Sequence, residues 1–401
     1  MEIIDLRPYS GLNTRILDYK TNEIIFSKDN KIEEKYYYCI SRYNLNSNTV
    51  EEIYRYEIPH YEFYNQYAYI FGEEIFIIKM KFPHKVEIDI LNKITKKIKS
   101  MNSFEIKEEI TSITISINNR YFVFYGDIDE MNERKYTENK EKGYSHYLYL
   151  CDLSEDKIYF IKDLRLVDGL SVVHGLINKL PTFIHDNQQY LIFNETYMDD
   201  WEYEDIYNLI QSNKLSKDLV KEIIEALYLI NINDFVKTIK IGEQNVPFKV
   251  ICKRHINGWV RYLGMDDKNI YFREKDFITQ IEKIFAINKT NFESTVVKEI
   301  NHKDVKGRLI YDNNKIYEEI ESDDSIEIKG IYNCDYNLCF KKDRNISFEE
   351  YINNRYLIIS QWIEDTEDNY YEFVHITDTK ENKCIKYEGR CHIYDSHVIL
   401  Y

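Results

Sequence analysis

The chain of 401 residues is too long for one small core but within reach of a single repeat-built domain, and 44% hydrophobic residues exclude wholesale disorder. Its 53 basic and 69 acidic residues give a formal charge of −16, a field that repels phosphate backbones and argues against nucleic acid as a partner. No run of about 18 apolar residues occurs, so no membrane span is expected, and the opening MEIIDLRPYSGLNTR lacks a basic segment followed by an apolar one, so a cytoplasmic location is expected.

The composition favours strands. There are 37 Tyr and 20 Phe, residues that fit a pleated, half-buried surface. Only 12 Gly and 5 Pro are present, so Asn and Asp must fill the turn positions, which their tolerance of the left-handed region allows. In chain order, hairpins with two apolar arms around a short polar turn occur at 16–26, 62–71, 113–125, 182–193, 262–272, 308–317, 349–359 and 391–401. A second hairpin type alternates with them at 36–56, 86–101, 147–164, 236–251, 284–300, 326–340 and 373–387. With the first type named A–B and the second C–D, the count is eight A–B and seven C–D hairpins.

This alternation resembles β-propeller repeats in general, over nearly the full length, without the Trp-Asp or Gly-Gly signature of particular families. The resemblance implies an all-β fold, a single domain over 1–401, built as a seven-bladed β-propeller of four-stranded antiparallel blades. The surplus hairpin at 391–401 is expected to pair with N-terminal strands and hide free edges. A protein of two β-sandwiches is the alternative.

One segment breaks the pattern. Residues 199–235 are expected to form a small α-helical insertion in the fourth blade. Leu215, Leu219, Ile223, Leu227 and Ile230 recur at helical spacing, Ser216 is the expected N-cap, and an earlier helix is expected at 201–211.

In a four-stranded blade the B–C and D–A connections emerge together, opposite the A–B and C–D turns. The long connections fall at 126–145, 162–180, 194–235, 253–261 and 361–369, so function is expected on that face. Two constellations lie there. Asp199, Asp200 and Glu202 surround Trp201; they suit either a capped, solvated helical turn or a site for a cation or basic partner. Arg254, His255, Trp259 and Arg261 combine cations with an aromatic platform, a set for a carboxylate, phosphate or sugar, or else an ordinary polar loop. The seven cysteines are odd in number and dispersed, and are expected to be reduced and packed as small hydrophobes. Cys384, Cys391, His392 and His397 match no zinc spacing, so neither metal nor cofactor is expected.

No nucleophile elbow, phosphate loop or dinucleotide fingerprint is present. The expected function is therefore a non-catalytic scaffold that presents loops and the helical insert to a protein or peptide partner. The alternative is a propeller enzyme, of glycoside hydrolase or lyase type, using carboxylates in an axial cleft.

Overall fold

The computed structural model describes residues 1–20, 22–59, 64–81, 85–101, 103–105, 112–116, 120–127, 146–161, 165–166, 182–198, 223–243, 245–255, 258–276, 279–312, 315–335, 337–341, 345–364, 370–394 and 396–401. Among these residues the repeating unit is an antiparallel meander in chain order. Four-stranded sheets span 12–58, 112–161, 182–255, 258–301, 308–341 and 346–388, and a five-stranded one spans 64–105. The fold is all-β and of propeller type, as the alternating hairpins predict. The stretch 62–71 differs from expectation: it is not a hairpin, because Tyr64–Phe71 is one strand whose partner, Glu74–Lys81, follows a tight turn.

Asn and Asp shape the turns in a recurring way. Asn44, Asn92, Asp152, Asn288 and Asp378 each end a third strand or lie at its tip. Each side chain accepts hydrogen bonds from the backbone N–H groups two and three residues on. Four residues after each comes a left-handed residue: Asn48, Lys96, Asp156, Phe292 and Asn382, with φ between 51° and 60°. The tight A–B turns at Asp186-Asn187 and Asn353-Asn354 hold both residues at positive φ, as a type I′ turn requires.

The expected helical stripe is a strand where it is described. Ile223–Asn231 pairs with Gln188–Met198 on one side and Lys249–His255 on the other. A run as apolar as IIEALYLIN suits a doubly paired strand as well as a helix, and the pairing partners decide. The helix, α1, instead spans Ile232–Ile241, where a C–D hairpin was expected. Asn231 is its N-cap, accepting from Asn233 N–H, with Asp234 in the first turn; Gly242 ends it at φ 75°. Asn231 occupies the same place as the Asx residues of the other C–D turns, so α1 is an enlarged C–D turn. The remainder of the expected insertion, 199–222, lies outside the described residues.

The chain divides into two compact units: Met1–Glu105 with Glu321–Ile326 and Cys339–Tyr401, and Ile106–Ile320 with Glu327–Leu338. In the first, Ile25, Ile40, Ile53 and Tyr54 of the 12–58 sheet pack on Ile75, Ile77 and Leu91 of the next. Asp89, buried there, accepts from Tyr54 Oη at 2.7 Å and Lys79 Nζ at 3.0 Å, so its charge is paired. In the second, Ile192, Leu227 and Leu229 pack on Val260, Ile270 and Phe272.

The terminal hairpin closes the first unit. Cys391–Tyr394 and His397–Leu400 pair antiparallel, and Glu2–Asp5 adds to His397–Leu400 in parallel. This three-stranded sheet stands apart from the 12–58 meander rather than extending it. Ile399 packs with Ile4, Leu6, Ile24 and Phe26, while Val398 and Leu400 pack with Ile352, Ile358, Val374 and Ile376. The sheet thus joins the first meander to the last. Among the described residues no helix is long and apolar enough to cross a membrane.

Candidate functional site

A cavity of about 330 Å³ opens at the end of the 346–388 sheet, against the terminal hairpin. It is built at the B–C and D–A end. Ser347 and Glu349 come from the first strand, Ser360, Gln361 and Trp362 from the second, Glu372 and Phe373 from the third, and Gly389, Arg390, Cys391 and Tyr401 from the closing segment.

The local backbone explains how these side chains meet. The pairing of Ile346–Ile352 with Tyr356–Glu364 shifts between Phe348 and Glu350, which leaves Glu349 as the extra residue of a bulge. Bulges re-aim side chains, and here the re-aimed group is an exposed carboxyl lining the cavity. Trp362 stands directly across from Glu372, so the indole and the carboxylate are nearest neighbours across the strands. Gly389 is at φ +110°, and a Cβ there would lie 2.6 Å from the Tyr401 carbonyl oxygen. Only glycine therefore allows the chain to come close enough for Arg390 N–H to donate to Tyr401 O at 2.8 Å and Tyr401 N–H to donate to Arg390 O at 2.9 Å.

The electrostatics are mixed. Arg390 pairs with Glu372, and this partner holds the guanidinium above its ordinary pKa. Gln361 is buried, and its Oε1 takes hydrogen bonds from His375 Nε2 at 3.0 Å and Lys386 Nζ at 3.3 Å. Lys386 also lies 3.7 Å from the centre of the Phe373 ring. Burial, with the Glu349 charge beside it, pushes the Cys391 thiol up to about 12, so it stays protonated and is no nucleophile at neutral pH. Among the described residues no cluster of three His, Cys, Asp or Glu side chains is placed to hold a metal ion.

The residues expected from sequence fare differently. Asp199, Asp200, Trp201 and Glu202 lie outside the described residues. The expected 253–261 loop is mostly strand: Lys249–His255 and Gly258–Met265, with two residues between. Arg254 is registered opposite Glu225, His255 opposite Ile224, Trp259 opposite Lys275 and Arg261 opposite Arg273. Because α1 is a C–D element, it leaves its sheet at the opposite end from that stretch; the expected placement of the insertion on the B–C and D–A face rests on residues 199–222, which lie outside the described residues. Glu349, Glu372 and Arg390 were not singled out. The one signal for them was the connection at 361–369, which starts beside Trp362.

No protein-family model matches the chain, and no curated protein matches it. Solved structures do match. A prolyl endopeptidase matches at 7% identity and a TM-score of 0.48, covering 94% of this chain and 49% of the peptidase. The β-propeller domain of the trilobed protease from Pyrococcus furiosus, described as having an open velcro topology, matches at 11% identity and a TM-score of 0.41, over 94% of this chain and 97% of the domain. An oligogalacturonate lyase in complex with manganese matches at 9% identity and a TM-score of 0.31, over 94% of this chain and 77% of the lyase. The chain spans about half the length of the prolyl endopeptidase. An acylaminoacyl peptidase and an oligopeptidase B also match; at these identities the likeness shows a propeller fold alone, and the expectation of a non-catalytic binding scaffold is not upheld by it.

Proposed function

We propose that the protein is a propeller enzyme of the glycoside hydrolase or lyase class and that the cavity beside Trp362 is its substrate site. The observation that carries this reading is the juxtaposition of Trp362 and Glu372 across two strands, with Glu349 turned toward the same cavity by a bulge. An indole face offers a sugar ring an apolar platform. Two carboxyl groups beside it can divide acid and base roles, and Ser347 and Ser360 can hydrogen-bond to hydroxyls. Arg390 keeps Glu372 oriented and offers a cation to an acidic sugar.

Binding tests the reading independently of turnover. Calorimetric titration of the full chain with neutral and uronate oligosaccharides should find a ligand class that saturates. Trp362→Ala should weaken that binding by about tenfold, the value of one stacking contact of about 1.5 kcal/mol. Silence with every sugar, or equal binding by the variant, contradicts the proposal.

A further inference from the structure

A second site is built in the other compact unit, at the same kind of sheet end. In the 258–301 sheet Lys275 stands directly across from Glu282. The Glu282 side chain is fully buried, and its Oε2 accepts from His302 Nε2 at 2.8 Å and from Tyr311 Oη at 2.8 Å. The other ring nitrogen of His302, Nδ1, lies 3.3 Å from Lys275 Nζ. Because Nε2 points its proton at Glu282, Nδ1 presents a lone pair to the lysine. The three side chains therefore form a file in which a buried carboxyl orients an imidazole and the imidazole faces an amine, the logic of a nucleophile, a base and its orienter.

Two further facts single this amine out. Glu282 Oε1 is buried without a hydrogen-bond partner, with Arg273 Nη1 3.8 Å away, so the carboxyl's hydrogen bonds are all committed to the imidazole and phenol side. Arg273 lies two residues before Lys275 on the same strand, hence on the same face, with its guanidinium 3.4 Å from the centre of the Tyr311 ring. Burial lowers the Lys275 pKa; the nearby Glu282 opposes this and Arg273 adds to it. Lys275 remains partly exposed, so a small molecule can reach it.

We propose that Lys275 is a reactive amine that condenses with a carbonyl compound carrying a carboxylate, with His302 as its base, Glu282 as the positioning residue behind the imidazole, and Arg273 as the cation for the carboxylate. The neutral Lys275 nitrogen adds to the carbonyl carbon, forming the C–N bond. His302 Nδ1 takes a proton from that nitrogen and delivers it to the former carbonyl oxygen. The hydroxyl then leaves as water with one proton from solvent, and the nitrogen lone pair forms a protonated C=N bond. No oxidant or reductant is needed. Trp259 and Arg261, registered opposite Lys275 and Arg273, belong to the neighbouring strand of the same sheet.

The test traps the adduct. Full-length protein is incubated with pyruvate and cyanoborohydride at neutral pH, and every modified lysine is located by peptide mass spectrometry. Lys275 should be labelled faster than the median exposed lysine, and excess acetate should slow it. His302→Gln should cut the labelling rate at Lys275 by about tenfold or more and leave the other lysines unchanged. If that variant does not fold, the pH profile of wild-type labelling decides: the Lys275 rate should level off at lower pH than the rates of exposed lysines. Labelling of Lys275 at or below the rate of exposed lysines overturns the proposal, whatever becomes of the sugar-site reading.

Discussion

At the scale of the residue, the buried charged groups carry the clearest consequences. Asp152 is fully buried. Burial pushes its carboxyl up, but hydrogen bonds from Arg120, Lys240 and Ser154 outweigh this and hold it well below the usual carboxylate range. Asp152→Asn should therefore lower stability by about 3 kcal/mol in denaturant titrations, because two cations lose their shared anion. The hydrogen-bonded Arg355 likewise lowers Asp378 to about 2. For both groups the folded pKa lies below the unfolded one. Their contribution is complete above the ordinary carboxyl range and disappears as pH falls through the folded values. The melting temperature should thus fall between about pH 4 and pH 2, and Asp378→Asn should fall less steeply over that window. Equal slopes for variant and wild type would refute the assignment. These partnerships were not legible in the sequence: Asp152 and Lys240 are 88 residues apart, and only the docking of α1 joins them.

At the scale of the element, the hairpins were legible and the helix was not. Alternating arms around Asn-rich turns are local signals, and they placed nearly all of the meanders. The run 223–231 carries apolar residues on both faces, so its period does not distinguish strand from helix; pairing on both edges does. For α1 the decisive signals were its ends, Asn231 and Gly242, which flank Ile232–Ile241 as cap residues should. Asn231→Ala should cost about 1 kcal/mol, through the lost cap, and circular dichroism melts can measure it. Gly307 makes a stronger demand. A Cβ there would meet the Glu319 carbonyl oxygen at 2.0 Å, while Lys306 and Gly307 N–H groups both donate to the buried Glu318. Gly307→Ala should displace this connection and lower the melting temperature by several degrees or more; an unchanged melt would show that the backbone yields without cost.

At the scale of the whole molecule, closure and function meet in one segment. The terminal hairpin buries Val398, Ile399 and Leu400 completely, and its flank lines the cavity through Arg390, Cys391 and Tyr401. Removing residues 391–401 should cost about 5 kcal/mol, from about 1.5–3 kcal/mol for each buried aliphatic side chain. It should also open the cavity, so sugar binding should vanish with the lost stability. The pairing of this hairpin with the first strand was legible because it is the eighth hairpin of the first kind against seven of the second. The cavity was not, because Glu349, Glu372 and Arg390 converge only when the first and third strands and the closing segment come together, and the bulge that turns Glu349 has no sequence mark. The most direct measurement is turnover of the oligosaccharide class that binds, followed by mass spectrometry of products with wild-type protein and with Glu372→Gln and Glu349→Gln. Cleavage by the wild type, with each variant slower by about 100-fold or more at an unchanged melting temperature, is the predicted result. A bound sugar that is never cleaved, or variants as active as the wild type, would contradict the enzyme reading.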